Sequence, residues 1–321
     1  MNGRRDLFRW FECLQRYPIR HPVSTIVLKI DVDTYRGTLD GVPRLVAALE
    51  RIGAKATFLF SLGPDHTGRA IKRVFRRGFL GKVRRTSVVS HYGIRTLLYG
   101  VLLPGPHIGR RCAGVMQDVA RRGFEVGIHT YDHIKWQDGV ARANEAWTRR
   151  QLDLARDEFV RVFGREPRTH GAAGWQMNRY VPQLQSAMGL PYASDTRGRE
   201  PFVPVVEGRV MAVPQLPTTL PTLDELIGRE DLDGQDPVDH LLSLTGGTGD
   251  QVFTLHAELE GGAYLAGFER LLAEWQVRGH GLTDLATYAA SLDLARLPRC
   301  RIESGTVAGR AGTLAVQGES L

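Results

Sequence analysis

A strand-like segment that ends in two carboxylates constrains this chain more than any other feature. Ile26-Val-Leu-Lys-Ile30 is apolar and β-branched, the pattern of a strand covered on both faces, and it runs straight into Asp31-Val-Asp33. Carboxylates do not end a core strand for the sake of burial, because desolvation penalises the charged form unless a cation or a donor meets it. A second motif, His129-Thr-Tyr-Asp-His133, also follows a strand-like segment. Two histidines four apart project from one face of a helical turn, or from a tight loop of similar reach. One aspartate with two histidines offers three ligands to a divalent metal and leaves room for water. The other aspartate is then free for proton transfer, which completes the parts of a metal-assisted hydrolase. Glu does not follow His129, so the His-Glu-x-x-His protease pattern is excluded.

Strands and helices alternate around these motifs. Strand-like runs fall at 26–32, 56–62, 125–129, 168–173, 192–195, 210–216 and 251–256. Helical periodicity falls near 40–52, 110–122, 144–163, 176–187, 264–278 and 282–290, the first with Val42, Leu45, Val46 and Leu49 on one face. Such alternation predicts a parallel sheet, and over 321 residues a closed or nearly closed barrel. In barrels of that kind the active site gathers at the C-terminal ends of the strands. Asp31, Asp33, His129, Asp195 and His256 all fall there.

The charge is uneven. From His66 to Gln117 there is no acid but eleven Lys and Arg residues, more than the whole net charge of +7, so the remainder is net negative. Nine of these cations, Arg73, Arg76 and Arg77 among them, lie in an insertion over about 64–109 that is too long for an ordinary connection. Within it, cations alternate with Ile71, Val74, Phe75, Phe79, Leu80 and Val83, and an apolar piece follows at Ile94–Leu103. Such a pattern reads as an element drawn to an anionic membrane surface, or as a solvated lid over the barrel. No nucleic-acid module accompanies the charge. Residues 1–24 read as a basic amphipathic extension, residues 25–296 as the barrel, and 297–321 as a Gly-rich tail without periodic pattern. Cys13, Cys112 and Cys300 are scattered and odd in number, which suggests a reduced setting. No signal-peptide or membrane-spanning pattern is present, so a cytoplasmic location is expected.

The order Asp-x-Asp, His-x3-His, then a late strand-end Leu-His resembles the polysaccharide deacetylase (NodB-homology) family. Its members are metal-dependent amide hydrolases on a distorted (β/α)7-type barrel. Within it the sequence is similar to deformylases of undecaprenyl-phosphate 4-deoxy-4-formamido-L-arabinose. The matching segments include Ile30-Asp-Val-Asp-Thr-Tyr-Arg-Gly37, Gly127-Ile-His-Thr-Tyr-Asp-His133, Ala172-Ala-Gly-Trp175, Ser194-Asp-Thr-Arg-Gly198, Leu220-Pro-Thr-Leu-Asp-Glu-Leu-Ile-Gly-Arg229 and His256-Ala-Glu-Leu-Glu-Gly261. The resemblance implies Asp33, His129 and His133 as ligands of one divalent ion (Zn, Co or Mn), Asp31 as general base and His256 as general acid. It implies a lipid-linked sugar substrate, a peripheral place on the cytoplasmic face of the bacterial inner membrane, and a part in lipid A modification and polymyxin resistance. The family's usual arginine beside the base is absent here, where the third region reads His170-Gly-Ala-Ala-Gly-Trp175. Arg197 is a candidate for that partner or for the substrate's phosphate, Trp175 for lining the sugar pocket, and Asp195 for orienting His256. The alternatives are a deacetylase of another N-acyl sugar and a non-catalytic lipid-binding barrel.

Overall fold

The computed structural model describes residues 22–69, 96–232 and 234–321. Most of the N-terminal extension, and Arg73, Arg76 and Arg77 of the insertion, lie outside the described residues. Strand β1, Thr25–Val32, is central: it pairs in parallel with β2, Thr57–Ser61, on one side and with β6, Gln251–His256, on the other. The sheet continues from β2 to β3, Glu125–Thr130, while the short β7, Gly281–Thr283, joins the N-terminal half of β1. All these pairings are parallel, as strand–helix alternation requires.

Period-two alternation divides β1 into two faces. Ile26, Leu28, Ile30 and Val32 join the main apolar cluster, together with Leu45, Leu49, Phe58, Phe60, Phe253 and Trp275. Full burial of each such side chain contributes about 1.5–3 kcal/mol. The opposite face carries Val27, Lys29 and Asp31 towards the interior of the ring. Val27 packs there with Leu216 and Val252, so the interior is apolar at its base and becomes polar towards the strand ends.

Beyond β3 the ring is carried by isolated bridges. Ile128 bonds to Thr169 and Gly171, Ser194 to His170, Ala193 to Pro214 and Leu216, Thr218 to Thr196, and Thr219 to Val252 of β6. Hydrogen bonds therefore run from β1 through β3 and back to β6, a distorted barrel with regular ladders on one side only. The runs at 168–173, 192–195 and 210–216, expected as strands, make these single contacts instead. Gly171 and Pro214 interrupt the first and last of them, and proline lacks the N–H a ladder needs.

The helices pack outside. Val42–Ile52 (α1) ends at Gly53, whose φ of +68° is the left-handed conformation glycine adopts without strain. A π-helical turn, Gly37–Gly41, leads into it, and a Cβ on Gly41 would sit 2.0 Å from the Ala257 carbonyl oxygen. That close approach locks the loop after β1 to the loop after β6. Glu145–Phe163 (α2) is capped by Asn144, whose side chain accepts from Trp147 N at 3.0 Å. The Gly-rich tail holds two strands. Arg299–Gly305 (β8) and Leu314–Ser320 (β9) form an antiparallel hairpin, and β8 also pairs with Val203–Val206 (β4), which pairs in turn with Arg209–Val210 (β5).

Candidate active site

Register brings the chemistry together. Asp31 on β1 is the direct neighbour of His256 on β6, and the loop after β1 carries Asp33 over the same strand ends. His129 is near the end of β3. Asp132 accepts from Lys135 N at 3.1 Å as the cap of a short helix, His133–Gly139, so His133 is that helix's first residue. A strand end and a helix start thus aim two imidazoles at one point.

Asp33 stands between them. Its Oδ1 lies 3.2 Å from His129 Nε2 and its Oδ2 lies 3.4 Å from His133 Nε2. The three donor atoms fall within 4.8 Å of one another, and among the described residues this is the group that could hold a metal ion. The donor set fits such an ion. Burial pushes the His133 imidazole down to about 4, helped by His129 and His256, so it is neutral with a lone pair to give. Burial opposes ionisation of Asp33 as well, but the two histidines override it and hold its carboxyl well below the usual carboxylate range. One anionic oxygen donor and neutral nitrogen suit a divalent cation.

Asp31 is 3% exposed, and its two oxygens have different surroundings. Oδ2 lies 3.4 Å from Lys29 Nζ, while Oδ1 has no hydrogen-bond partner among the described residues and lies 3.8 Å from His129 Nδ1. His256 Nδ1 lies 3.7 Å from Asp224 Oδ1, and Asp224 Oδ2 lies 3.2 Å from Arg310 Nη2. Two further carboxyls hold the loops in place. Glu258 Oε1 accepts from Asp33 N at 3.1 Å and from Thr34 N and Oγ1 at 2.7 Å, and Glu260 Oε2 accepts from His256 N at 2.8 Å. Burial, with the charge of Asp33, raises Glu258 to about 8, and burial raises Glu260 to about 7.

Two expected roles are corrected. Asp195 does not reach His256. Its Oδ1 meets His170 Nδ1 at 2.6 Å and Ala172 N at 2.8 Å, while its Oδ2 accepts from Gln185 at 2.8 Å and Gln215 at 2.9 Å. Both oxygens are used in fastening the bridge side of the barrel, and the carboxylate facing His256 is Asp224. Arg197 does not meet Asp31 either. It pairs with Glu225 at 2.5 Å and donates to Leu220 O at 2.9 Å. Trp175 is 1% exposed, donates from Nε1 to Thr218 Oγ1 at 3.1 Å, and gathers three cations on its ring: Arg310 at 4.3 Å, Arg197 at 5.0 Å and Lys29 at 5.4 Å. Sequence reasoning missed Lys29, Asp224 and Arg310. A lysine inside an apolar strand was one signal, and the place of Asp224 within the matching segment Leu220–Arg229 was another.

A ring of parallel strands, with this acid–histidine group at its mouth, defines a class of carbohydrate amide hydrolases. The polysaccharide deacetylase family matches residues 20–193, and the chain belongs to that family. Two relatives are each named probable 4-deoxy-4-formamido-L-arabinose-phosphoundecaprenol deformylase ArnD. The one from Shewanella sediminis (strain HAW-EB3) is 36% identical over 78% of this chain and 81% of its own length. The one from Wigglesworthia glossinidia brevipalpis is 29% identical over 88% of this chain and 98% of its own. The fold is similar to a crystal structure named putative polysaccharide deacetylase, from Mycobacterium smegmatis, with a TM-score of 0.61, 17% identity, and coverage of 91% of this chain and 97% of that one.

Proposed function

We propose that the chain hydrolyses the formamide of undecaprenyl-phosphate 4-deoxy-4-formamido-L-arabinose to the 4-amino sugar lipid and formate. This is a step of lipid A modification that confers resistance to polymyxin and other cationic peptides. The observation that carries the reading is the pairing of Asp31 with His256 in register across β1 and β6, beside the Asp33–His129–His133 group. The names of the two relatives supply the substrate.

Asp33, His129 and His133 would hold one divalent ion, of zinc, cobalt or manganese. When bound, the ion lowers the pKa of a water and polarises the formyl oxygen. Asp31 takes the proton of the attacking water through Oδ1, the oxygen not engaged by Lys29. His256 gives a proton to the sugar nitrogen as the C–N bond breaks, which releases the amine and formate. Burial alone would lower the His256 imidazole, but the carboxylates of Asp224, Asp33, Glu260 and Asp31 raise it to about 9. The acid is therefore charged at neutral pH, and turnover should fall as pH rises through about 9. Asp224→Asn removes one of those charges and should bring the falling limb down by roughly one unit. A limb that stays in place would assign the acid to another group.

The enzyme works at the cytoplasmic face of the inner membrane as a peripheral protein. No helix of the described residues is long and apolar enough to cross a membrane. Where the insertion returns to the described chain, Val101, Leu102 and Leu103 are 42%, 76% and 38% exposed, an apolar tip suited to an interfacial role. Incubation with the lipid-linked formamido sugar in anionic vesicles should give free formate and the loss of a formyl mass from the lipid. An intact lipid would end the deformylase reading. Flotation with the same vesicles should weaken with salt and on charge reversal of Arg73, Arg76 and Arg77, and absence of binding at low salt would refute the membrane part.

A further inference from the structure

The geometry points to Lys29 as the positioning residue of the base: its ammonium fixes the Asp31 carboxylate so that Oδ1 faces the site. The inference rests on the deformylase reading for the role of Asp31, but its structural content stands on contacts alone. Lys29 is fully buried, which is costly for an ammonium unless its charge and donors are met. Its Nζ lies 3.4 Å from Asp31 Oδ2, donates to Ser194 O at 3.0 Å, and lies 5.4 Å from the centre of the Trp175 ring. Two residues apart on one strand, Lys29 and Asp31 share the interior face, so the pairing follows from strand period alone.

The surroundings leave space for this side chain. The register neighbours of Lys29 are Thr57 on β2 and Thr254 on β6, both small. Opposite, a Cβ on Gly171 would stand 3.1 Å from Lys29 Cε and 2.4 Å from Leu59 Cδ1. A glycine at that point admits the lysine stem. The third region of this sequence offers no arginine for Asp31, and Arg197 is taken by Glu225. A cation delivered from the base's own strand fills that place.

With Oδ2 held by Lys29, the carboxylate cannot rotate freely, and the unpartnered Oδ1 is left to accept a proton. A positioning residue of this kind should govern turnover and leave substrate and metal binding alone. The test compares wild type with Lys29→Gln, which keeps a donor for Ser194 O without the charge, and with Lys29→Arg. Formate release, metal content by mass spectrometry and thermal stability are measured for each. Lys29→Gln is expected to lose about 100-fold in kcat, with KM within twofold and metal stoichiometry unchanged. Lys29→Arg should recover at least tenfold over Lys29→Gln. In an Asp31→Asn background Lys29→Gln should cost nothing further, because both act through one group.

A kcat within threefold of wild type in Lys29→Gln, or losses that multiply in the double variant, would overturn the assignment. Lys29→Met replaces Lys29→Gln in the same series if the glutamine variant does not fold. The structural arm needs no substrate. In crystals of the neutral variant the Asp31 carboxylate should leave its wild-type rotamer, and an unmoved carboxylate would also overturn the assignment. A wild-type protein that releases no formate refutes the deformylase reading, and Lys29 is then decided on the crystal structures.

Discussion

Asp33→Ala is expected to abolish metal binding and to cut formate release about a thousandfold, one of the two largest effects expected of a single change. Asp33 is the only anionic donor of its group, and its oxygens lie 3.2 and 3.4 Å from the two imidazoles. Without it, two nitrogen donors remain, and burial continues to keep His133 neutral. Loss of about 4 kcal/mol of transition-state stabilisation corresponds to roughly a thousandfold in rate. The backbone N–H of Asp33 bonds to Glu258 whatever side chain is present, so the loop keeps its course. Thermal unfolding separates metal loss from misfolding. A ligand at a hundredfold excess over its Kd stabilises the native state by about 2.7 kcal/mol, so added metal should raise the wild-type Tm by several degrees. It should leave the Asp33→Ala midpoint unchanged. A variant that binds one equivalent of metal and turns over within tenfold of wild type would mean that the ligand group is elsewhere.

What the sequence made legible was the part set by strand period and strand ends. Asp31, Asp33, His129 and His256 were placed by the ends of the apolar runs that precede them, and the structure brings them to one mouth. Their partners were harder to read because they come from segments with no periodic signal. Asp224 is the second residue of a helical turn of four, Leu223–Leu226, too short to show amphipathic spacing. Arg310 lies between β8 and β9, in a tail whose glycines hide a hairpin. Asp195 was misread for a physical reason: a strand-end acid can either face the site or fasten its neighbours. Only the surrounding side chains decide, and Gln185, Gln215 and His170 take its oxygens. Lys29 was visible as a lysine in an apolar strand, yet its meaning depends on Asp31 sharing its face.

Asp31→Asn is expected to lower kcat by about 10²- to 10⁴-fold, the usual worth of a general base, while metal content and KM stay near their wild-type values. Asparagine matches the carboxylate in shape but accepts no proton at the pH of turnover. The same change acts on stability through Lys29. Removing one member of a buried ion pair costs about 3–5 kcal/mol when the remaining charge is left uncompensated. The bond from Lys29 to Ser194 O offsets part of that, so Asp31→Asn should unfold at a lower temperature than wild type. If that loss comes from the stranded ammonium, a variant without both charges, Lys29→Met with Asp31→Leu, should regain most of the stability, because buried pairs are often replaceable by apolar groups of similar volume. It should nevertheless release no formate. Recovery of the fold without recovery of turnover would separate the two roles of the pair, since the charges that penalise the core are the ones that direct a proton. An Asp31→Asn protein that holds its metal and releases formate at the wild-type rate would show that the base is another residue.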